Sequence, residues 1–550
     1  MTIKQQLIKQ LTKYIESTWE HTEHAFAAGG LAVDFTPPSH LKFGHYTTNI
    51  AMRLAPIVKA PPHEIALQLV AACTSHPAVE KAEVAGPGFI NVFLKPAWLQ
   101  RQMAKVITSG KKFGSSTTGK GKRVNIEFIS ANPTGPLTLG NGRGAFMGDT
   151  LAHVLNAAGY KAWREYYVND MGNQVNILAE SVLRRYWISQ GIRMEYPDYC
   201  YQGEYIEEIA KTLYLPNYAL GKSALVEVRD KIKGRILKKM LGNIQRFVTG
   251  RLNIKFNTWF SEKTLYQGKK IDNILDALRA LGLIYEHDGA IWMKTMQFGD
   301  EKDRVLIRKN SEPTYFLPDI AYHHDKLTRR KFDMVINFLG ADHAGYAPRM
   351  QAAMKALGHG GKLRIIIFQL VRLLSGGVEV RMSKRKGMFV TFEELIDDVG
   401  LDAARYFFLM HASSSHMDFD LDLAKKKTKE NPVYYVQYAH ARICSILRNT
   451  QRKPVSRAKP SSDPHSSSIA LMVKILQLPE LIEDVSGSFA LHALPTYAYE
   501  LATIFHDYYT NVRVIEDDQV NRQPLQLIQA TKVALENVLR IMGISAPEKM

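Results

Sequence analysis

Val124-Asn-Ile-Glu-Phe-Ile-Ser130, Ala131-Asn-Pro-Thr-Gly-Pro-Leu-Thr-Leu-Gly140 and Asn141-Gly-Arg-Gly-Ala-Phe-Met-Gly-Asp149 read in turn as a strand, a Pro/Gly turn and the glycine-studded start of a helix. Val124, Ile126 and Phe128 alternate with Asn125, Glu127 and Ile129, and the prolines at 133 and 136 lack the N–H that a ladder requires, so the strand ends there. Phe146, Leu151, Val154, Leu155 and Ala158 then recur at helical spacing, with Gly159 placed as a C-terminal cap. Unpaired N–H groups and the positive end of the helix dipole meet at Gly140, Gly142 and Gly144, which makes this bend a candidate phosphate site. The glycines alone fit a tight strand-to-helix turn equally well. Gly140-x-Gly142-x-x-Ala145, with Glu165 twenty residues beyond Ala145, also satisfies the loose dinucleotide fingerprint of a nicotinamide oxidoreductase. That fingerprint should open directly off the strand, whereas ten residues separate Ile129 from Gly140.

Outward from this stretch, 550 residues with 46% hydrophobic content exceed one core and predict three or more domains. Lys and Arg outnumber Asp and Glu by 18, which favours a polyanionic partner but is equally compatible with solubility. Cys73, Cys200 and Cys444 are far apart, so neither a disulfide framework nor a zinc site is indicated, and a reducing cytoplasm is expected. No apolar run approaches the ~18 residues of a bilayer span, and the first twenty residues are charged throughout, so neither export nor a membrane is expected.

The expected class is multidomain α/β plus α. Residues 1–108 read as an α+β domain. Ile3, Leu7, Leu11, Tyr14 and Ile15 share one helical face, 46–54 and 62–73 look helical, and 82–94 gives strands around Gly86-Pro-Gly88. The polar segment 109–121 is expected to be a solvated linker. Residues 122–395 form a Rossmann-like parallel-sheet domain with a helical insertion at about 171–255. The strand 161–170 follows the glycine-rich helix, strand-like stretches at 257–262, 289–293 and 304–308 resume the sheet, and Met334-Val-Ile-Asn-Phe-Leu339 is its buried strand. Residues 396–430 connect to an all-α bundle, 431–550, with helices at 431–447, 469–485, 496–512 and 524–542 and a flexible, Pro/Ser-rich stretch at 453–468.

Val380-Arg-Met-Ser-Lys-Arg-Lys-Gly387 is a cationic loop bracketed by glycines, ordinarily a solvated charge run. Together, Ser130 to Asp149 and Met382-Ser383-Lys384 resemble the two signatures of class I aminoacyl-tRNA synthetases, in the right order. Asn431 to Leu447 and the tail from Ile544 resemble arginyl-tRNA synthetases in particular. The resemblance implies an ATP-dependent arginine–tRNA ligase that forms arginyl-adenylate and passes the arginyl group to the terminal ribose of tRNA. Its implied partners are L-arginine, ATP with Mg2+ and tRNA, with no protein-held metal, in a monomer, and its N-terminal domain would contact the corner of the tRNA.

Carried residue by residue, the resemblance places Thr138 and Asn141 at the two signature histidine positions and assigns ATP to Pro136, Thr138, Gly140, Asn141, Gly142, Met382, Ser383 and Lys384. Lys384 would meet charge on the departing pyrophosphate. Ser130 and Asn132 would lie by the arginine α-groups, Glu262 and Asp319 would take the guanidinium, and Tyr315 and His343 match an aromatic and a polar position. A guanidinium needs carboxylates because its five donors cannot stay unpaired in a pocket. Tyr438, Arg442, Tyr435 and His440 could meet tRNA bases, although aromatic residues at this spacing are more often core. The family reads His-Val-Gly-His where this chain has Thr138-Leu-Gly-Asn141, and Arg381 replaces the first lysine of the second signature. A catalytically impaired RNA-binding paralogue is therefore the alternative expectation.

Overall fold

The computed structural model describes residues 1–19, 22–27, 30–215, 225–380, 391–451, 453–455 and 465–550. Five parallel strands run in the order Leu363–Phe368, Met334–Gly340, Arg123–Glu127, Lys161–Val168, Thr258–Ser261. The strand of this sheet that comes first in the chain, Arg123–Glu127, is thus central. Later strands are added first on one side and then on the other, so the switch point falls between Arg123–Glu127 and Met334–Gly340.

The period-2 pattern of the central strand divides the two faces. Val124, Ile126 and Phe128 are wholly buried, and helix Leu139–Ala157 presses so close to Phe128 that a Cβ on Gly148 would lie 2.2 Å from its ring. Asn125 and Glu127 point to the opposite face, where Lys326 of helix Phe316–Leu327 reaches Glu127. That covering helix is missing from the sequence reading, as is the edge strand Leu363–Phe368.

Several expectations are corrected. Ala290–Met293 and Arg304–Ile307 do not join the parallel sheet; with Ile284–His287 they form a separate antiparallel one, since the connections 288–289 and 294–303 are shorter than a parallel crossover needs. Tyr46–Thr48 is a strand paired with Phe89–Leu94, and helix begins only at Ile50. The stretch 469–485 divides into Ser466–Leu476 and Leu478–Ser488, because Pro479 cannot donate and sits instead in the first turn of the second helix. Segment 109–121 is only partly exposed and is pinned: Ser116, Gly119, itself buried, and Gly121 donate N–H to the carbonyls of Ala157, Ala158 and Gly159 at 2.8, 2.8 and 2.9 Å.

Elsewhere the periodicities produce the expected elements. Ile3, Leu7, Leu11 and Ile15 are the buried stripe of the first helix. The helical insertion is Asn173–Ser189, Glu204–Lys211 and Leu225–Arg246, the last burying Val228, Ile232, Ile236, Met240 and Ile244 at i, i+4 spacing. Pro432–Thr450, Ala493–Asn511 and Arg522–Met542 pack with the two helices of 466–488 as a C-terminal bundle. Segment 456–464, within the stretch expected to be flexible, lies outside the described residues.

Candidate active site at the sheet switch point

The chain leaves the central strand through two non-glycine residues in the left-handed region, Ile129 at φ 66° and Ser130 at φ 40°. For β-branched Ile129 this is a strained conformation, of order 1–3 kcal/mol, held only because its surroundings enforce it. Ser130 Oγ donates to Glu127 Oε1 at 3.3 Å and accepts from Tyr167 N at 3.0 Å, while Ala131 O accepts from the Tyr166 hydroxyl at 2.9 Å. Asn132 stays exposed and donates to Gln174 Oε1 at 2.8 Å.

Beside this turn stand three carboxylates. Glu127 is answered by the fully buried Lys326 ammonium at 2.7 Å. Glu262, the first residue after strand Thr258–Ser261, and Asp319, one turn into helix Phe316–Leu327, have no cation within ion-pair distance among the described residues. Burial, with Asp170 nearby, pushes the Glu262 carboxyl up to about 6. Burial, reinforced by Glu127 and Glu262 against a hydrogen bond from the Tyr346 hydroxyl, pushes Asp319 up to about 7. The Tyr167 hydroxyl is driven upward by burial and then by Glu262, Asp319 and Glu127, which places it among all three acids. Tyr315 lies one turn before Asp319 on the same helical face, 76% exposed at the rim.

His343 is exposed just past the end of strand Met334–Gly340 and lies 3.4 Å from Asp342; among the described residues no hydrogen bond or ion pair ties it to these acids. Glu127, Tyr167 and Tyr346 were missed. A carboxylate on an inner strand that runs Arg123-Val-Asn-Ile-Glu127 was a readable signal for Glu127, whereas Tyr346 is brought to Asp319 by tertiary folding alone. Glu165, the acid of the dinucleotide reading, is fully buried and bound to Arg330, Lys326 and the Tyr322 hydroxyl, so it cannot meet a ribose.

At the other end of the turn, helix Leu139–Ala157 starts with Thr138 and Asn141 bonded to one another. Asn141 Oδ1 accepts from Thr138 N at 2.9 Å and from its hydroxyl at 3.2 Å, the reciprocal half of a capping box. Gly140 is exposed, and a Cβ there would meet only Thr138 Oγ1 at 3.7 Å, which leaves the backbone open to a ligand. Gly142 is instead buried under Phe392 and Phe408, where a Cβ would lie 2.9 and 3.1 Å from their rings; its smallness serves packing, and it does not face the opening. Pro136 is half-buried in the same turn. Arg381, Met382, Ser383 and Lys384 lie outside the described residues. The described chain resumes at Thr391, bridged to Thr138, with Phe392 N donating to Leu137 O at 3.0 Å.

In the bundle, Tyr438 is 42% exposed and stacks on His506 at 5.9 Å, and the Arg442 guanidinium lies over Tyr509 at 5.2 Å. Tyr435 packs between Tyr499 and His506. His440 is withdrawn from any surface: it is wholly buried, with Pro547 O and Glu536 Oε1 at its ring nitrogens.

Three family descriptions match the chain in succession: "Arginyl tRNA synthetase N terminal domain" over residues 2–94, "tRNA synthetases class I (R), catalytic domain" over 102–415, and "DALR anticodon binding domain" over 436–550. The chain is 44% identical over 528 residues to the arginine–tRNA ligase of Bacillus subtilis, covering 93% of each. To that of Carboxydothermus hydrogenoformans it is 42% identical over 540 residues, covering 94% of each. The arginyl-tRNA synthetase structure of Thermus thermophilus covers the whole chain with a TM-score of 0.76 at 21% identity, a likeness of fold. With its catalytic-domain match spanning more than half its length and such relatives covering nearly all of it, the chain belongs to the arginyl-tRNA synthetase family of class I aminoacyl-tRNA synthetases.

Proposed function

We infer that the chain joins arginine to tRNA at the expense of ATP, and that the observation carrying the residue-level reading is the pair Glu262 and Asp319, two carboxylates with no ion-pair partner among the described residues, beside an open helix N-terminus. A guanidinium supplies the missing charge, and its forked donors suit two acids converging from different elements. Glu127 and Ser130, with Asn132 at the rim, take the arginine α-amino and carboxylate groups, which directs the carboxylate toward the helix Leu139–Ala157. Tyr315 closes over the substrate from the exposed rim. His343 stays at the strand end as a polar neighbour.

ATP lies over Gly140 with its phosphates toward Thr138, Asn141 and the first-turn N–H groups, beside Pro136. Asn141 uses its oxygen for the cap, which leaves its amide N–H as a neutral donor to phosphate where relatives of the signature have histidine. Lys384, with Met382 and Ser383, answers the charge that grows on pyrophosphate as the arginine carboxylate attacks the α-phosphorus. Mg2+ accompanies the nucleotide and screens its triphosphate. Residues 1–108 and 431–550 hold the tRNA on either side of a catalytic domain at 122–395, a division supported by the matched ranges. Tyr438 and Arg442 offer a stacking face for anticodon bases. The working unit is a monomer in the cytoplasm, where the three buried free thiols stay reduced.

The test is arginine-dependent pyrophosphate exchange in the presence of cognate tRNA. Exchange is expected with arginine, and Lys384→Ala should lower its rate with little change in the KM for arginine. No exchange by the parent protein would overturn the reading in favour of the RNA-binding paralogue.

A further inference from the structure

The last helix, Arg522–Met542, ends with carbonyls that no further turn can satisfy. Two are met by side chains from the catalytic side of the molecule. Ile541 O lies 3.1 Å from His153 Nδ1, and Met542 O accepts from Arg405 Nη1 at 3.3 Å. His153 stands on helix Leu139–Ala157, whose first turn is the proposed triphosphate site. Arg405, on helix Leu401–Leu409, reaches the same helix through Asp149, one turn before His153, with Nη1 2.9 Å from Asp149 Oδ2. Arg164 holds the other Asp149 oxygen at 2.9 Å. Arg405 Nη2 also donates to Leu252 O at 2.8 Å, at the end of the helical insertion, and the guanidinium covers the Phe146 ring at 4.9 Å.

Arg405 and Asp149 are 1% and 2% exposed. A buried ion pair stabilises no better than well-packed apolar residues, so stability alone does not account for one here; what it supplies is direction. Gly543 shows how tightly the junction is built, since a Cβ there would lie 2.5 Å from Arg405 Nη1. The helix that receives this contact has little slack. Gly142, Gly144 and Gly148 are wedged against Phe392, Phe368 and Phe128, and Arg143 donates to Gln369 O, Ala412 O and Ser415 O at 2.7–2.9 Å. A displacement at Asp149 is therefore carried along about 16 Å of rigid helix to Thr138.

We propose that Arg405, Asp149 and His153 are positioning residues that couple the anticodon-binding bundle to the triphosphate end of helix Leu139–Ala157, so that a tRNA seated on the bundle favours the reactive arrangement. The proposal rests on the function inferred above. The test compares single-turnover arginylation of full-length cognate tRNA with that of an acceptor-arm RNA lacking the anticodon arm, both saturating, in the parent, Arg405→Lys and His153→Phe. Lysine keeps the pair with Asp149 but cannot also serve Leu252 O and Met542 O; phenylalanine keeps the ring volume and removes the bond to Ile541 O. Both variants should lose about 10-fold with full-length tRNA, within the span of typical coupling free energies, and stay within about twofold of the parent with the acceptor-arm RNA. Equal losses with the two RNAs in His153→Phe, or a parent that does not distinguish them, would overturn the coupling. A parent that arginylates neither RNA would overturn the function on which it rests.

Discussion

At the scale of single residues, the pocket's chemistry is one of unbalanced acids. Asp319 and Glu262, held up near 7 and 6, carry protons over part of the neutral range, and a guanidinium binds their ionised forms. On the proposed assignment arginine binding releases protons, so the KM for arginine should fall as pH rises from about 6 to 8 and level off above. Asp319→Asn should flatten that profile. Asp319→Ala or Glu262→Ala should weaken arginine binding by about 2–5 kcal/mol, because the guanidinium is left partly unpaired, while the KM for ATP stays near the parent value. Steady-state kinetics across pH check both statements, and a parent profile flat between pH 6 and 8 would refute the assignment. Asp319 and Glu262 could be nominated as candidates from the sequence through their flanking motifs; Tyr346 and Tyr167, which shape the acids' environment, could not, because nothing local marks a tyrosine whose partner lies on another element.

For the helix Leu139–Ala157, the glycines divide into two uses that the sequence shows as one pattern. Gly140 leaves its backbone open, whereas Gly142, Gly144 and Gly148 admit phenylalanine rings. Gly142→Ala should therefore destabilise by about 1–3 kcal/mol through overpacking, read in thermal unfolding. Asn141 has a double duty that substitution can separate. Asn141→Asp keeps the acceptor for Thr138 N, so stability should hold, but it removes the amide donor and adds charge facing the triphosphate, so adenylate formation should fall at least as far as in Asn141→Ala. Asn141→Ala should lose both the cap, about 1 kcal/mol of stability, and the donor, about 2–4 kcal/mol of transition-state stabilisation. Full activity in Asn141→Asp would show that the residue only caps.

Across the whole molecule, the N-terminal domain is latched to the C-terminal bundle at Glu480, which accepts the Tyr46 hydroxyl at 2.9 Å and Lys4 N at 3.2 Å. Lys4 Nζ pairs with Asp34 at 2.9 Å and Asp484 at 3.5 Å beside it. Burial pushes the Glu480 carboxyl up to about 7, so the folded protein holds this proton more tightly than the unfolded chain, whose value is near 4.5. Its contribution is unchanged below about 4.5, declines as pH rises from there to about 7, and is flat above. Glu480→Gln keeps an acceptor without the charge, so it should raise the apparent Tm at pH 8 by about 1–3 °C and leave that at pH 4.5 almost unaltered. Thermal unfolding at the two pH values checks the sign.

The amino-acid sequence by itself determined what local periodicity and turn chemistry encode: the buried central strand, the Pro/Gly turn, the glycine-rich helix start, the helical insertion and most of the bundle helices. Only the tertiary structure decided what depends on which elements become neighbours. It put Ala290–Met293 and Arg304–Ile307 in a sheet of their own, because strand pairing is a non-local choice that alternation does not specify. It withdrew Glu165 and His440 into ionic and hydrogen-bonded interiors and left His343 beside Asp342, because burial is a property of the packed chain and not of the residue type. It also joined Asp149, Arg405 and Met542, hundreds of residues apart, since a buried charge must find its partner wherever the fold provides one.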